Sequence, residues 1–266
     1  MKERGVGIAI AVLLLVSFAF LVTPAVADWH GGKALVMYRT WTWNSSDGWV
    51  QWNYKDGPIW GKFRNEFEKQ GWTVDFAKHV NSTLLSNYDA LFVLTPSKNI
   101  PDVEAEAIIN WVLGGGQLVI TQDDCGVYAN KITKTFGIEF DDCRPMEINN
   151  FADHPVTHSL SKVDGATARK INVSGSSKRI GWYKGLICKY CLLAVNDTAG
   201  EGVVVVIGDE YMWSKWRFNK WDNKELLDNI LAYFRQTCSV PEFTPLWFTI
   251  PVLGLLGMVF LLLRRA

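Results

Sequence analysis

The chain has 266 residues, of which 48% are hydrophobic and 20% are charged, a composition typical of a folded protein with one large or two small domains. This composition excludes extensive disorder. The 27 basic and 27 acidic side chains cancel, so the overall charge does not favour binding to nucleic acid or to an anionic bilayer. The apolar residues are concentrated at the two ends, and these ends determine where the protein is expected to lie.

Residues 1–27 have the pattern of a secretory signal peptide. Lys2 and Arg4 form a basic head, an uncharged stretch follows, and residues 25–27 (Ala-Val-Ala) match a cleavage site. An uncleaved membrane helix is the alternative, and the helix-breaking Pro24 disfavours it. Both interpretations predict export.

Residues 245–263 carry no charge and are followed by two arginines. This is the length that a helix needs to cross roughly 30 Å of hydrocarbon, and the basic pair marks the cytoplasmic side. The sequence therefore predicts a single-pass type I protein of the cell membrane. Its exported domain spans 28–239, its linker spans 240–244, and its cytoplasmic tail spans 264–266.

The junction Val240-Pro241-Glu242-Phe243, followed by the apolar span and Arg-Arg, resembles the tripartite carboxy-terminal sorting signals of archaeal surface proteins. The resemblance implies that the helix is removed and replaced by a membrane lipid. A permanent stop-transfer helix is the alternative. In both cases the chain is held at the membrane.

Two further features agree with an outward location. The exported domain contains four N-x-S/T sequons, which are potential glycosylation sites. Their asparagines are Asn44, Asn81, Asn172 and Asn196.

All five cysteines also lie in the exported domain, and in an oxidising compartment such residues tend to pair. We expect disulfides between Cys125 and Cys143 and between Cys188 and Cys191, with Cys238 left over. The Cys188-Lys-Tyr-Cys191 motif also fits half of a zinc knuckle or a redox pair. A second C-x-x-C is absent from the sequence, which disfavours the zinc knuckle.

Strand and helix patterns alternate along the exported domain. The run 88–94 is almost continuously apolar, as expected for a strand that is covered on both faces. This alternation predicts a flavodoxin-like, doubly wound α/β fold with a mainly parallel sheet, and a ligand site at the carboxyl ends of the strands. The predicted strands are 34–38, 72–76, 88–94, 117–121 and 203–207, and the predicted helices are 59–70, 102–113 and 223–234.

Four landmarks follow one another along the exported domain. They are Tyr88-Asp-Ala-Leu-Phe-Val-Leu-Thr-Pro96 with Asn110-Trp-Val-Leu-Gly-Gly-Gly-Gln-Leu-Val-Ile-Thr121, Phe136-Gly-Ile-Glu-Phe140, His154-Pro-Val-Thr157, and Gly202-Val-Val-Val-Val-Ile-Gly-Asp209 with Asp222, Asn223 and Asn229 downstream. In this order they resemble the class I glutamine amidotransferase-like superfamily in its divergent GIFT-type branch, over residues 34–236. The layout is also similar to the luminal domain of the non-catalytic oligosaccharyltransferase subunit, which is likewise exported and carries one carboxy-terminal membrane helix.

Enzymes of this superfamily need a nucleophile on a sharp strand-to-helix turn flanked by glycines, and a histidine base. The equivalent turn here is Gln122-Asp-Asp-Cys125-Gly126, in which no glycine precedes the cysteine. Asp123 and Asp124 are expected to raise the pKa of the Cys125 thiol and so disfavour the thiolate. The sequence has Asp209-Glu210 where the base is expected. We therefore expect no catalytic residues of the family type.

His154 and His158 lie four residues apart. A metal site that joins them to Asp123, Asp124 or Asp209 is one interpretation. We favour a structural role, in which His154 caps or hydrogen-bonds a loop, and we expect no metal and no cofactor. A residual site defines the enzymatic alternative, and its members are Asp123, Asp124, Cys125, His154, Asp209 and Glu210.

The thirteen tryptophans are the strongest indication of a binding site. Two groups follow the carboxyl ends of the first and last predicted strands, so the fold is expected to bring them to one rim. Tryptophan stacks on sugar rings and anchors protein contacts. A small satellite core and an anchor in lipid headgroups are the alternatives. The candidate residues are Trp41, Trp43, Trp49, Trp52, Trp60, Trp213, Trp216 and Trp221.

The sequence therefore predicts a non-catalytic, membrane-anchored extracellular domain that binds a glycan, peptide or membrane-protein partner through a Trp-rich rim. The alternatives are an accessory subunit of a membrane complex for glycosyl transfer or transport, and a divergent amidotransferase-like hydrolase. No nucleic-acid partner is expected.

Overall fold

The computed structural model describes residues 32–38, 61–96, 99–123, 126–143, 147–165, 168–185 and 189–238. The strands are β1 (Lys33–Tyr38), β2 (Thr73–Ala77), β3 (Ala90–Leu94), β4 (Gln117–Thr121), β5 (Ile138–Cys143), β6 (Asn150–Phe151), β7 (Arg169–Val173), β8 (Lys178–Lys184), β9 (Lys189–Ala199) and β10 (Gly202–Ile207). The α-helices are α1 (Gly61–Lys69), α2 (Ser82–Leu85), α3 (Asp102–Leu113), α4 (Asn130–Thr133) and α5 (Asn223–Cys238).

Eight strands form one sheet in the order β2-β1-β3-β4-β10-β9-β8-β6. The first five pair in parallel, whereas β9, β8 and β6 extend the sheet with antiparallel pairs. A separate antiparallel pair is formed by β5 and β7. The mostly parallel, doubly wound α/β architecture expected from the sequence is therefore observed, and its parallel strands follow the flavodoxin order.

The sheet separates two hydrophobic cores. On one face, Phe63 and Phe67 of α1 and Phe234 of α5 pack against strand residues such as Phe92. On the other face, α3 and α4 contribute Ile108 and Ile132 among others. Every residue of β3 and β4 is buried, which explains why these strands lack polar alternation.

Both ends of the described domain lie at the edge of the sheet where the parallel strands begin, which we name the amino edge. The first described residue, Gly32, precedes β1. At the other end of the chain, the Gln117 side chain, at the start of β4, donates to the Phe234 carbonyl (2.9 Å) and to Thr237 Oγ1 (2.7 Å). The last turns of α5 are therefore held at the amino edge.

The opposite edge, where the parallel strands end, is the carboxyl edge. Because α5 has 16 residues, at about 1.5 Å per residue it spans about 24 Å from its start near the carboxyl edge to the amino edge. The segments that precede and follow the domain therefore connect to it far from the carboxyl edge.

Several expectations concern residues outside the described ranges. These include the signal peptide, the linker, the membrane span, the tail, Asn44, and the disulfide partners Cys125 and Cys188. Both disulfide pairings thus stay predictions. Within the ranges that the structure describes, no helix has the length and hydrophobicity needed to cross a membrane.

The expected glycosylation of Asn196 is wrong. Asn196 is only 5% exposed, its Nδ2 donates to the Phe136 carbonyl (2.9 Å), and its Oδ1 accepts from the Thr198 backbone N–H (2.9 Å). A glycan needs this nitrogen in solvent, and here it is used to hold β9 against the turn before β5. The other two sequons, at Asn81 and Asn172, are exposed and stay candidates.

Candidate functional site

Three neighbouring strands deliver acidic and hydroxyl side chains to the carboxyl edge. Thr95 follows β3, Asp123 follows β4, and Asp209 and Glu210 follow β10. Since β3, β4 and β10 are adjacent in the sheet, the structure brings these carboxylates to one place. Asp124 and Cys125, the other expected members of this turn, lie outside the described residues.

Thr95 is held in the left-handed backbone region, with φ of 35°, which a β-branched residue seldom adopts. Its backbone N–H donates to Thr121 Oγ1 (2.9 Å), and its hydroxyl donates to Glu210 Oε2. These bonds compensate for an unfavourable backbone conformation. Sequence reasoning missed Thr95, although a Thr-Pro pair directly after a buried strand was a usable signal.

Burial raises the pKa of Glu210 well above its usual value, and the negative charges of Asp123 and Asp209 raise it further. Glu210 therefore keeps its proton to a higher pH than an ordinary glutamate. Asp209 is also buried, and its Oδ1 accepts from the Tyr211 backbone N–H (2.8 Å). Chemically, the cluster holds a proton donor beside carboxylate acceptors.

Arg169 and Gly208 connect the turns that carry the acidic residues. The Arg169 backbone N–H donates to the Gly208 carbonyl (2.8 Å), and its Nε donates to the Asp123 carbonyl (2.5 Å). A Cβ atom at Gly208 would lie 2.4 Å from the Arg169 carbonyl oxygen, so only glycine fits. The amino end of β7 thus fixes the turns after β4 and β10.

His154 does not join this cluster, so its inclusion in the residual site was wrong. Its Nδ1 accepts from the Val156 backbone N–H (3.1 Å), and its Nε2 lies 3.3 Å from Asp197 Oδ1. On β9, Asp197 is four residues, about 13 Å, beyond Leu193, which pairs with Ile207 at the carboxyl edge. The capping role expected for His154 is confirmed, because it forms the N-cap of the short 3₁₀ helix Pro155–Thr157.

The polar side chains around His154 are paired with one another. Burial acts to raise the pKa of Asp197, but hydrogen bonds from Lys178 and Tyr233, together with His154, hold it below its usual value. An open depression of about 400 Å³ lies beside this network. Its lining residues are Asp153, His154, Pro155, His158, Asn229, Ala232, Tyr233 and Gln236.

A metal site is not evident in the described part of the chain. No three or more histidine, cysteine, aspartate or glutamate side chains there come together in a way that could hold an ion. The imagined site of His154 and His158 with Asp123 or Asp209 is also excluded by the distance between the two edges of the sheet.

Trp213 is a core residue, and its assignment to the binding rim was wrong. The residue is 0% exposed, and its ring packs 5.3 Å from Phe63 and 6.4 Å from Phe92, measured between centroids. Its Nε1 donates to the Asn223 carbonyl (3.2 Å). The aromatic core on the α1 face therefore uses Trp213 to attach the segment after β10.

Trp216 and Trp221, by contrast, are 57% and 41% exposed. Trp221 has a positive φ of 50°, and both Lys162 Nζ (3.9 Å) and Lys220 Nζ (4.0 Å) lie against its ring. The Asp222 carboxylate accepts from the Lys162 backbone N–H (2.8 Å), which ties the same two segments together. The Trp221 ring is therefore already in contact with two lysines of the same domain, and the Trp216 ring is the more exposed of the two.

Other exposed apolar side chains lie at the same edge of the sheet. Val103 opens α3, and Val127 and Tyr128 precede α4. The Lys131 ammonium links these elements, because it donates to the Ile100 carbonyl (2.8 Å) and pairs with Asp102 (2.5 Å). We name Val103, Val127, Tyr128, Trp216 and Trp221 the carboxyl rim. Among the exposed large hydrophobic side chains of the described ranges, only Leu113 lies at the amino edge.

The remaining predicted rim residues lie outside the described residues. They are Trp41, Trp43, Trp49, Trp52 and Trp60, all in the segment that follows β1. Their part in a binding surface stays a prediction.

Comparisons with known proteins support the fold. No protein-family model matches the sequence, and no curated protein matches it. Among solved structures, the mmIFT52 N-terminal domain is similar with a TM-score of 0.62 and 13% identity, over 76% of this chain and 96% of that one. A cytoplasmic protein from Salmonella typhimurium is similar with a TM-score of 0.55 and 13% identity, over 76% and 98%. A ThuA-like protein from Bacteroides uniformis is similar with a TM-score of 0.52 and 14% identity, over 80% of this chain and 94% of that one. At these identities the likeness establishes the α/β fold alone.

Proposed function

We propose that the protein is a non-catalytic, membrane-anchored extracellular domain that binds a glycan, peptide or membrane-protein partner through its carboxyl rim. The observation that carries this proposal is the position of the exposed apolar side chains. They lie at the edge of the sheet opposite the one where the chain enters and leaves the domain. Exposed apolar surface is typical of interaction sites, and five such side chains share this edge.

The geometry favours a partner over lipid headgroups. With an anchor at 245–263, the membrane attaches through the end of α5, which lies at the amino edge. The start of α5, next to Trp221, is about 24 Å away. Trp216 and Trp221 are then displayed away from the bilayer, where a neighbouring molecule can reach them.

The arrangement of the candidate acids supports a binding role. Within the described ranges, the candidate base His154 pairs with Asp197 near the other edge and does not join the acid cluster. The family resemblance is part of the proposal. Its first landmark coincides with β3, α3 and β4, and its last with β10 and α5, and this agreement supports our proposal of a superfamily framework around a changed site.

The experiment is affinity purification from detergent-solubilised native membranes, with the full chain as bait and wild type compared with Trp216→Ala. We expect Trp216→Ala to lose the captured partner. The matched control is Leu113→Ala, which removes an exposed apolar side chain at the amino edge and should retain it. Equal capture by all three baits contradicts the proposal.

An accessory subunit would use the same rim. The identity of the captured material separates the two cases. Stoichiometric co-purification of a glycosyl-transfer or transport complex indicates a subunit, whereas a free glycan or surface protein indicates an independent binding domain.

A further inference from the structure

Aromatic and cationic side chains alternate in the exposed segment after β10. The Lys215 ammonium lies 4.8 Å from the Trp216 ring centroid, and the Arg217 guanidinium carbon lies 5.2 Å from that of Tyr211. The Tyr211 and Trp216 rings are themselves 6.1 Å apart with an interplanar angle of 35°. Two neighbouring flat rings, each with a cation beside it, therefore form one surface.

The cations of this surface are only partly neutralised. Arg217 and Lys220 share the single buried carboxylate of Asp164, and Lys162 pairs with Glu147 (2.7 Å). The Asp222 carboxylate is used to accept backbone N–H groups. Lys215 has no carboxylate within 4 Å among the described residues. Among the described residues of this surface, four cations thus accompany three carboxylates, and the surplus positive charge lies next to Trp216, which is more exposed than Trp221.

We propose that this surface binds an acidic glycan, an inference that rests on the proposed binding function. A sugar ring stacks on the Trp216 indole, and a carboxylate or sulfate on the sugar pairs with Lys215. The face of an indole packs well against the C–H face of a sugar. An anionic substituent on the sugar supplies a negatively charged partner for the Lys215 ammonium. The Lys215 ammonium lies 4.8 Å from the Trp216 ring centroid, so an anionic group on a sugar that contacts the indole is within reach of the ammonium.

The charge and its distribution disfavour other occupants. A nucleic acid presents a continuous row of phosphates, whereas this surface has one surplus cation and the whole chain is neutral. A purely apolar peptide would cover the Lys215 ammonium without pairing it, which is costly. An acidic sugar satisfies the indole and the ammonium together.

The experiment measures binding of the full chain in detergent to polygalacturonate, a polymer of an anionic sugar. The comparison polymer is its fully methyl-esterified form, which keeps the same ring and removes the charge. We expect the esterified polymer to bind about tenfold more weakly, and binding to polygalacturonate to weaken as salt rises from about 50 to about 500 mM. Equal affinity for both polymers, or for a DNA duplex, overturns the proposal.

Variants locate the contact. Trp216→Ala should weaken polygalacturonate binding about tenfold, and Lys215→Gln about fivefold, with a smaller salt dependence. Lys33→Gln, which removes an exposed cation at the amino edge, is the matched control and should change neither. Trp216→Tyr retains an aromatic face and should rescue most of the binding, which separates loss of stacking from loss of folding.

The outcomes distinguish this inference from the proposed function. One result is that Trp216→Ala abolishes partner capture from membranes while wild type binds neither polymer. The proposal of an acidic glycan is then wrong, and the proposal of a partner-binding domain is retained. If Trp216→Ala changes neither partner capture nor polymer binding, both proposals are wrong.

Discussion

The Thr95 hydroxyl donates to the Glu210 carboxyl and so joins the ends of β3 and β10, which lie on either side of β4. Thr95 and Glu210 are 115 residues apart in the chain. Their contact links the ends of two strands at the carboxyl edge, the same edge that carries the exposed Trp216 and Trp221.

The raised pKa of Glu210 gives the free energy of unfolding a defined pH dependence. In the folded protein Glu210 keeps its proton, whereas in the unfolded chain it loses the proton above about pH 4.3. Stability therefore falls as pH rises from this value to the folded pKa, by at most about 1.4 kcal/mol per pH unit. Glu210→Gln should flatten this part of the curve in denaturant titrations between pH 4.5 and 8. Glu225→Gln, at an exposed position, is the control and should keep the wild-type slope.

Trp213 and Trp216 are three residues apart and should behave in opposite ways. Trp213→Ala removes a fully buried ring and should cost about 3–5 kcal/mol of folding free energy. Trp216→Ala removes an exposed ring and should change stability by no more than about 0.5 kcal/mol. Equilibrium unfolding in urea measures both. Comparable losses from the two substitutions would show that Trp216 is also part of the core.

His154 should matter for stability. His154→Ala removes the acceptor for the Val156 N–H and the contact with Asp197, and should cost about 1 kcal/mol in a thermal or urea unfolding experiment. His154→Asn keeps a capping acceptor and should recover part of that loss. Hydrolytic turnover that disappears in both variants while stability is unchanged would instead assign His154 a catalytic role.

Asn196 should remain without a glycan even when other sequons are occupied. Its Nδ2 is buried and bonded to the Phe136 carbonyl, so it is not accessible in the folded domain. Glycopeptide mass spectrometry of the purified native protein should find the unmodified Asn196 peptide and can find glycans at Asn81 and Asn172. A glycan at Asn196 would contradict the described packing of β9.

The sequence predicted the elements with strong local signals. The strands β3 and β4 and the helix α3 agree with the predicted bounds to within two residues, because continuous apolar runs alternate there with Pro101 and three consecutive glycines. The strands β5 to β9 were missed. β7 and β8 contain several charged residues, and their pairing is set by contacts between distant parts of the chain.

The candidate site was predictable only in part. The meeting of Asp123 with Asp209 and Glu210 follows from the rule that the carboxyl ends of adjacent parallel strands lie together. The burial of Trp213 depends on Phe63 and Phe92, more than 120 residues earlier, and no local pattern encodes it. His154 was misplaced because the antiparallel β9, which carries Asp197, was not predicted.

Photo-crosslinking in intact cells can show whether the carboxyl rim contacts a partner molecule. A benzophenone amino acid is placed at position 216 on the carboxyl rim or at position 113 at the amino edge, with the chain otherwise intact. We expect a discrete adduct with a glycan or protein from position 216 and none from position 113. Adducts with membrane lipid alone from position 216, or the same adducts from both positions, would contradict it.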